Sequence, residues 1–426
     1  MSIFSTFDNQ TIMKSDVDVF GVDFDNTLAD HNIEYFKKLY RLASGRLKCE
    51  FGYTDLQIKD YDNNFTLSAY RFDHERGNLM QTTANGQVIT AYHGLKRMDC
   101  DSISEVYGNR VVTEYKTYTS KYGSVQVELL CNLVHDYSNH PQTADQKGML
   151  MPGGEVLMYN QMCSDVDRVI RWAHDPHGPF KREILSDPTR YSSLEDEISQ
   201  VLREATKRYG INRTRKMIMI TDSDFNYIDN MCRALFNVKT TADWAEKNSN
   251  AKFRQVNIAT GCVYPYHAKS IEKGKIYAEG SYHELVSLMK FEKPMLYIGD
   301  SMSSDILPAK QAGCYTYMKI PDLHNRLSAN IDPFSSFGNI SRAGLHVTWY
   351  GEMLATVPDG YGTSVSALFN AARSKPQNAI LFKPYILPHE LEADVSLRQL
   401  PKPDSKVAAL MKKVLFKKEG PKKKTV

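Results

Sequence analysis

No apolar run in this 426-residue chain approaches the ~18–20 residues that cross a bilayer, so no membrane span is expected. The first 19 residues lack the basic start and apolar stretch of a secretory signal. Cysteine is sparse: seven residues, at positions 49, 100, 131, 163, 232, 262 and 314, with no Cys-x-x-Cys pair and no His/Cys cluster. That excludes a recognisable zinc module, and reduced thiols in a cytoplasmic protein are the expectation. No internal repeat is found, which removes solenoid and propeller arrays from consideration. A strongly basic body is also missing. Residues 406–426 hold eight Lys against one Glu, so of the net +3 the remainder of the chain carries about −4. The basic balance belongs to a tail, which reads as a solvated, disordered end, with targeting or RNA binding as the alternative.

What is present is enough for a substantial core, with 42% hydrophobic residues, and a length that suggests roughly two or three domains. Three short apolar runs read as buried parallel strands: Val17–Val22, Lys216–Ile220 and Met295–Ile298. Each is followed by a polar turn and a helical pattern. Asp224 to Phe236 follows the second, and Ile306 to Ala312 follows the third, with Pro308 tolerable in a first turn. Strands alternating with helices predict a doubly wound α/β sheet whose site lies beyond the strands' carboxyl ends.

Almost 200 residues separate the first two strands, too many for one crossover, so an inserted domain is placed at 46–194. Its predicted helices include Val125 to Tyr137 and Asp165 to Ala173, and a helical pattern from Ser192 to Tyr209 leads back into the core. The core is then 1–45 plus 195–345, followed by a C-terminal extension at 346–405 and the tail at 406–426. The segment after residue 320 is the least readable, being Pro-rich, irregular and then basic.

Chemistry gathers where these strands end. Asp23-Phe24-Asp25-Asn26-Thr27 sets two carboxylates two residues apart just past the first strand. Paired acids at a strand end are costly unless a cation or a reacting group neutralises them. Thr221-Asp222-Ser223-Asp224 puts hydroxyls before a helix N-terminus, where they and the backbone N–H groups suit a phosphate; Ser223 or Asp222 would serve equally as a helix cap. Gly299-Asp300 through Asp305 adds a tight turn and two further acids. With Asp23 they make a hard-oxygen cluster suited to Mg²⁺, although Asp305 could also cap its helix.

These motifs, in this order, resemble the haloacid dehalogenase superfamily, and within it the cytosolic purine 5′-nucleotidase type and the cytosolic 5′-nucleotidase domain-containing family. The residues that carry the resemblance are Gly21-Val-Asp-Phe-Asp-Asn-Thr-Leu-Ala29, Gly77-Asn-Leu, Ala91-Tyr-His-Gly94, Asp187-Pro-Thr-Arg-Tyr191, Thr221-Asp-Ser-Asp224 and Tyr297 through Pro308. It covers about residues 15–320. It implies a Rossmann-like core with a parallel sheet and an inserted, mainly helical cap domain. It further implies that Asp23 is the nucleophile and Asp25 the general acid/base. Thr221 and Lys247 would hold phosphoryl oxygens, with Lys252 as the fallback lysine. Mg²⁺ would sit on Asp23, the Asp25 carbonyl, Asp300 and Asp305.

The resemblance also implies a function: a Mg²⁺-dependent phosphomonoester hydrolase that forms an aspartyl-phosphate and acts on nucleoside monophosphates. Tyr122 falls where the family stacks an aromatic on the base, and an ordinary packing role is the alternative; Ser223 joins it as a substrate-binding candidate. One departure stands out. Where the family has an Arg, then an Asp four residues on, just before a Trp, this chain has Asp167 and Arg171 before Trp172. The charges are exchanged, so purine recognition does not transfer. Asp222 likewise replaces an Asn of the nucleotidase. The expected partner is a small phosphate ester, with a homo-oligomer possible in relatives of this type, no membrane, and nucleic acid only through the tail. Two alternatives stay open: a non-catalytic nucleotide-binding or regulatory relative, and a phosphotransferase or phosphatase acting on another ester.

Overall fold

The computed structural model describes residues 19–62, 70–108, 111–194, 216–237, 239, 282–289, 294–320, 358 and 360–362. In chain order these form β1 (Val19–Val22), β2 (Ala29–His31) and α1 (Ile33–Glu50), then β3 (Tyr70–Asp73), β4 (Asn78–Thr82), β5 (Val88–His93) and β6 (Lys96–Arg97). Next come α2 (Cys100–Val106), β7 (Tyr115–Tyr118), α3 (Lys121–Asp136), β8 (Gly148–Leu150), β9 (Val156–Met158), α4 (Tyr159–Ala173), α5 (Pro179–Ser186), α6 (Pro188–Tyr191) and β10 (Ser192–Leu194). After them lie β11 (Lys216–Met219), α7 (Phe225–Phe236), α8 (Tyr282–Met289), β12 (Met295–Gly299), a π-helical turn over Met302–Ile306, α9 (Leu307–Gln311), β13 (Tyr315–Lys319) and β14 (Gly360–Gly362).

The core sheet runs β11-β1-β12-β13-β14, with every neighbouring pair parallel. All four residues of β1 are buried, as expected for a strand covered on both faces. Alternation sorts its side chains. Val19, with Ile218, Ile220, Met295 and Tyr297, faces one apolar cluster that takes in Tyr282 and Leu285 of α8 and Ala309 of α9. Phe20 and Val22, with Met219, Leu296 and Ile298, face the other cluster, with Tyr227, Ile228 and Met231 of α7 and the buried stripe of α1. Gly21 lies on the first face, where an added Cβ would stand 2.8 Å from Tyr297 Cδ2. The Tyr297 ring, with Met295 and Ile220, packs over this position because the residue has no side chain.

The predicted helices after the second and third strands are present. α7 is capped by Asp224, whose side chain accepts the Tyr227 N–H, and ends on Asn237 in the left-handed region at φ 51°. The third opens as the π-helical turn before α9, with Pro308 in the first turn of α9. Helices over 125–137 and 165–173 are observed as the longer α3 and α4. The inserted stretch also carries a five-stranded antiparallel sheet, order β6-β5-β4-β3-β7, beside its helices. The helical pattern expected from Ser192 is corrected: Ser192–Leu194 is a strand, antiparallel to β2 in the register Ser192↔His31. Pairing with β2 overrides local propensity there; residues 195–209 lie outside the described residues, as do the predicted tail at 406–426 and most of the extension at 346–405. α1 runs unbroken through residues 45 and 46.

The six cysteines among the described residues are free thiols. Among those residues no helix is long and apolar enough to cross a membrane.

Candidate active site

The turn after β1 is built to project carboxylates. The Phe24 carbonyl accepts the N–H groups of Thr27, Leu28 and Ala29, and Asn26 N–H donates to the Ala29 carbonyl at 2.7 Å. This tight reversal requires φ 54° at Asn26, a conformation Asn tolerates better than most residues. Lys319 anchors the loop from the sheet: its buried ammonium donates to the Thr27 carbonyl and to Asp30 Oδ1, each at 2.9 Å.

Asp23 follows β1, with its N–H on the Ile298 carbonyl of β12 at 2.9 Å. Adjacent strand ends thus bring Asp23 and Asp300 together. Gly299 lets Asp305 fold back beneath them, since an added Cβ there would meet Asp305 Cβ at 2.5 Å. Asp305 is fixed by the Ser301 N–H at 2.9 Å and by Tyr297 Oη at 3.0 Å. Asp23, Asp300 and Asp305 each offer an oxygen within 4.8 Å of the others. Burial first, and then the charges of Asp305 and Asp300, push the Asp23 carboxyl well up. Burial and neighbouring acids raise Asp300 in the same way, and Asp305 is raised to about 7 by burial and Asp222, against the Ser301 N–H. Asp23 Oδ1 is buried and, among the described residues, has no hydrogen-bond partner. A buried orphan oxygen beside two further carboxylates has the chemistry of a hard-cation site, and the donor set fits Mg²⁺.

Asp25 is treated oppositely. Ser223 Oγ donates to its Oδ2 at 2.6 Å and Tyr227 Oη to its Oδ1 at 3.1 Å. His31 Nε2 stands 3.2 Å from Oδ1. Burial alone would raise this carboxyl, but His31, Lys181 and Ser223 outweigh it and bring Asp25 down to about 2. Two acids two residues apart are thereby separated in character by their surroundings.

A cavity of about 500 Å³ opens over both groups, lined among others by Asp23, Asp25, Asp300, Asp305, Tyr122 and Ser223. Six predicted residues therefore meet in one place. Thr221 is buried beside it, with Oγ1 accepting the Ser223 N–H at 3.3 Å. Lys247 and its fallback Lys252 lie outside the described residues. Asp222 lines the cavity, so its acid does face the site. Ser223 spends its hydroxyl on Asp25 in this arrangement.

Several lining residues carry no signal in the sequence. Lys181 of α5 is buried with its ammonium 3.3 Å from the Tyr227 ring centroid. Burial lowers its pKa, against the pull of Asp25, Asp224 and Asp222. His174, pushed down to about 4 chiefly by burial, must donate from Nδ1 to the Ile170 carbonyl at 2.9 Å. Its Nε2 then presents a lone pair with no partner among the described residues. Tyr122 meets the His174 ring edge-on, centroids 5.5 Å apart. Arg171 lines the cavity, whereas Asp167, one turn earlier, is engaged by Lys116 and by Gln126 Nε2 at 2.8 Å.

A parallel sheet that gathers these acids beyond β1 and β12 defines a haloacid dehalogenase-type core. Residues 6–333 match the model of the 5′ nucleotidase family. The chain belongs to that family. It is 25% identical over 352 residues to 5′-nucleotidase domain-containing protein 2 of Rattus norvegicus, covering 75% of this chain and 59% of the rat protein. With the Homo sapiens 5′-nucleotidase domain-containing protein 1 it shares 26% identity over 339 residues, 69% of each chain. The chain thus spans less than two thirds of the length of the rat relative. Among solved structures, CbbY from Rhodobacter sphaeroides in complex with phosphate is 12% identical, with a TM-score of 0.27 over 71% of this chain and 86% of that one. At that TM-score the likeness carries no argument, and the fold rests on the strand order above.

Proposed function

We propose that this protein is a Mg²⁺-dependent phosphomonoester hydrolase of the cytoplasm that works through an aspartyl-phosphate and takes nucleoside 5′-monophosphates. One observation carries the reading: the buried Oδ1 of Asp23, without a hydrogen-bond partner among the described residues, beside the carboxylates of Asp300 and Asp305. Mg²⁺ held by Asp23, the Asp25 carbonyl, Asp300 and Asp305 would neutralise the acids and the phosphoryl oxygens.

An Asp23 carboxylate oxygen attacks phosphorus, and the bond from phosphorus to the ester oxygen breaks. Asp25 gives its proton to the departing alkoxide. It then takes a proton from the water whose oxygen attacks the aspartyl-phosphate, and inorganic phosphate leaves as Asp23 is restored. The donors around Asp25 keep it ionised at rest, which suits the second step. A phosphate dianion alongside would raise it toward the protonated form needed for the first. Thr221 and Lys247 are assigned to phosphoryl oxygens, and Lys181, which lines the cavity, supplies a further ammonium group. Tyr122 packs on the substrate's far end, and Ser223 acts on the substrate through Asp25.

A second reading keeps this chemistry on a different phosphate ester. It is favoured by the cavity's lining, to which Arg171 contributes while Asp167 is taken up by Lys116 and Gln126. Phosphate release from a panel of nucleoside monophosphates and sugar phosphates tests both. Wild type and Asp23→Asn would be run with Mg²⁺ and with a chelator. Metal-dependent release confined to one substrate class and abolished in Asp23→Asn is expected. No release from any ester by folded protein that binds Mg²⁺ would count against hydrolysis.

A further inference from the structure

Asp25 has two oxygens and three polar neighbours. Ser223 and Tyr227 reach it from the loop and helix after β11. His31 comes from elsewhere, from β2, whose partner β10 is the strand on which the chain returns from the inserted stretch. The histidine is 2% exposed. Its ring stacks on Tyr35 with centroids 3.8 Å apart and planes 5° from parallel, so it cannot turn freely. Nδ1 stands 2.7 Å from Ser192 Oγ on β10. Flanking bonds tie the same two segments together: Asn32 N–H to the Tyr191 carbonyl at 3.0 Å and Asn32 Nδ2 to the Arg190 carbonyl at 2.7 Å.

One tautomer suits both neighbours of the ring. With the proton on Nε2, that edge of His31 faces the Asp25 carboxylate as a 3.2 Å electrostatic contact, off the line of a hydrogen bond among the described residues, and Nδ1 accepts from the Ser192 hydroxyl. The other tautomer would turn a lone pair toward a carboxylate.

We propose that His31 is a positioning residue, which sets the orientation of the Asp25 carboxylate and couples it, through Ser192, to the paired strands β2 and β10 that join the core to the inserted stretch. The inference rests on the reading of Asp25 as the general acid/base. Its consequence is specific. The group that must meet both a departing oxygen and an incoming water is aligned only while β2 and β10 stay paired. Substrate binding draws on the rest of the cavity and depends far less on His31.

The test compares wild type with His31→Phe, His31→Gln and Ser192→Ala. Phe keeps the stack on Tyr35 and removes both nitrogens; Gln restores an N–H donor near the Nε2 position. For His31→Phe, kcat is expected to fall roughly 10- to 100-fold, the loss typical of a misplaced reacting group, with KM within about threefold. His31→Gln should recover a large part of kcat, and Ser192→Ala should lower it to a smaller extent. Crystal structures of wild type and His31→Phe give a readout that needs no turnover: the Asp25 carboxylate should turn or split into more than one rotamer in the variant. A single, unmoved Asp25 rotamer in His31→Phe overturns the proposal, whatever the rates. So does an unchanged kcat, or a loss that appears in KM alone. If the Phe variant does not fold, the Gln and Ala variants carry the same comparison. If wild type releases no phosphate from any ester, the hydrolase reading falls, and the Asp25 rotamers still decide this one.

Discussion

Gly299→Ala should uncouple cation binding from folding. Gly299 is not in the left-handed region, so alanine suits its backbone. What it lacks is room: the new Cβ would lie 2.5 Å from Asp305 Cβ, 2.6 Å from Cγ and 2.7 Å from Oδ2. Carbon pairs settle at ~3.5–4.0 Å, so Asp305 must retreat by about 1 Å. Mg²⁺ demands ligand oxygens at ~2.0–2.1 Å, and sites tolerate only ~0.2 Å of error. A displacement roughly five times that tolerance removes Asp305 from the coordination shell or leaves it holding water badly. Losing a ligand's support costs ~10–100-fold in metal affinity, or about 1.4–2.7 kcal/mol. Overpacking adds ~1–3 kcal/mol to the cost of folding. The assay is a Mg²⁺ titration by calorimetry beside the Mg²⁺ dependence of phosphate release, with melting curves for each protein. The double variant Gly299→Ala/Asp305→Gly should regain Tm, because the clash is gone, yet bind Mg²⁺ no better than the single one. A single variant with wild-type Tm and a Mg²⁺ affinity within about twofold of wild type would refute the assignment of Asp305 to the cation site.

Glu128 of α3 is buried, accepts the Asp62 N–H through both oxygens, and is raised to about 8, chiefly by burial. Its folded pKa lies above the unfolded value, so the unfolded chain releases its proton first as pH rises. Stability should therefore fall between pH 4.5 and about 8, by up to ~1.4 kcal/mol per pH unit. Glu128→Gln should flatten that decline in Tm, and parallel curves would show that the carboxyl carries no such penalty. Lys181→Met should lower kcat/KM by about 10²-fold, as when one charge-stabilising donor is lost, with Tm held or raised because a buried ammonium is removed; an unchanged kcat/KM would place Lys181 outside the phosphate site. Tyr122→Leu should raise KM for nucleotides roughly 2- to 12-fold, the worth of an aromatic contact, and leave KM for small sugar phosphates alone. An equal rise for both classes would assign Tyr122 to packing.

The acids of the site were legible because each sits at the end of an uninterrupted apolar run, where local sequence determines the strand and the turn that ends it. Val19–Val22 and Met295–Ile298 are buried without exception, and Asp23 and Asp300 come directly after those strands. The antiparallel sheet of the inserted stretch was not legible for the opposite reason. Its strands bury polar residues that erase the two-residue alternation. Arg71, Asp73, Asn78 and Gln81 are all inside. Arg71 donates from Nη1 to Thr82 Oγ1 at 2.6 Å and lies over the Tyr115 ring at 4.2 Å, contacts that exist only once the sheet has formed. His31, Lys181 and Tyr227 were missed on the same principle. A lone histidine or lysine has no pattern, and the 202 residues between Asp25 and Tyr227 leave no local trace of their bond.

The charges lining the cavity bear on the proposed cation and on the inserted stretch together. Asp23, Asp25, Asp222, Asp224, Asp300 and Asp305 all line it, against Lys181 and Arg171 as the lysine and arginine among its described lining residues. A phosphate dianion meeting that wall of carboxylates would be repelled at close range, in a partly desolvated space where repulsion is poorly screened. On the proposed reading, the ester would bind once the cluster of Asp23, Asp300 and Asp305 is neutralised, the chemistry a divalent ion held by those acids would supply. The two cations come instead from α4 and α5 of the inserted stretch. On the proposed reading, the insertion thus adds basic side chains to a site whose acids all come from the core.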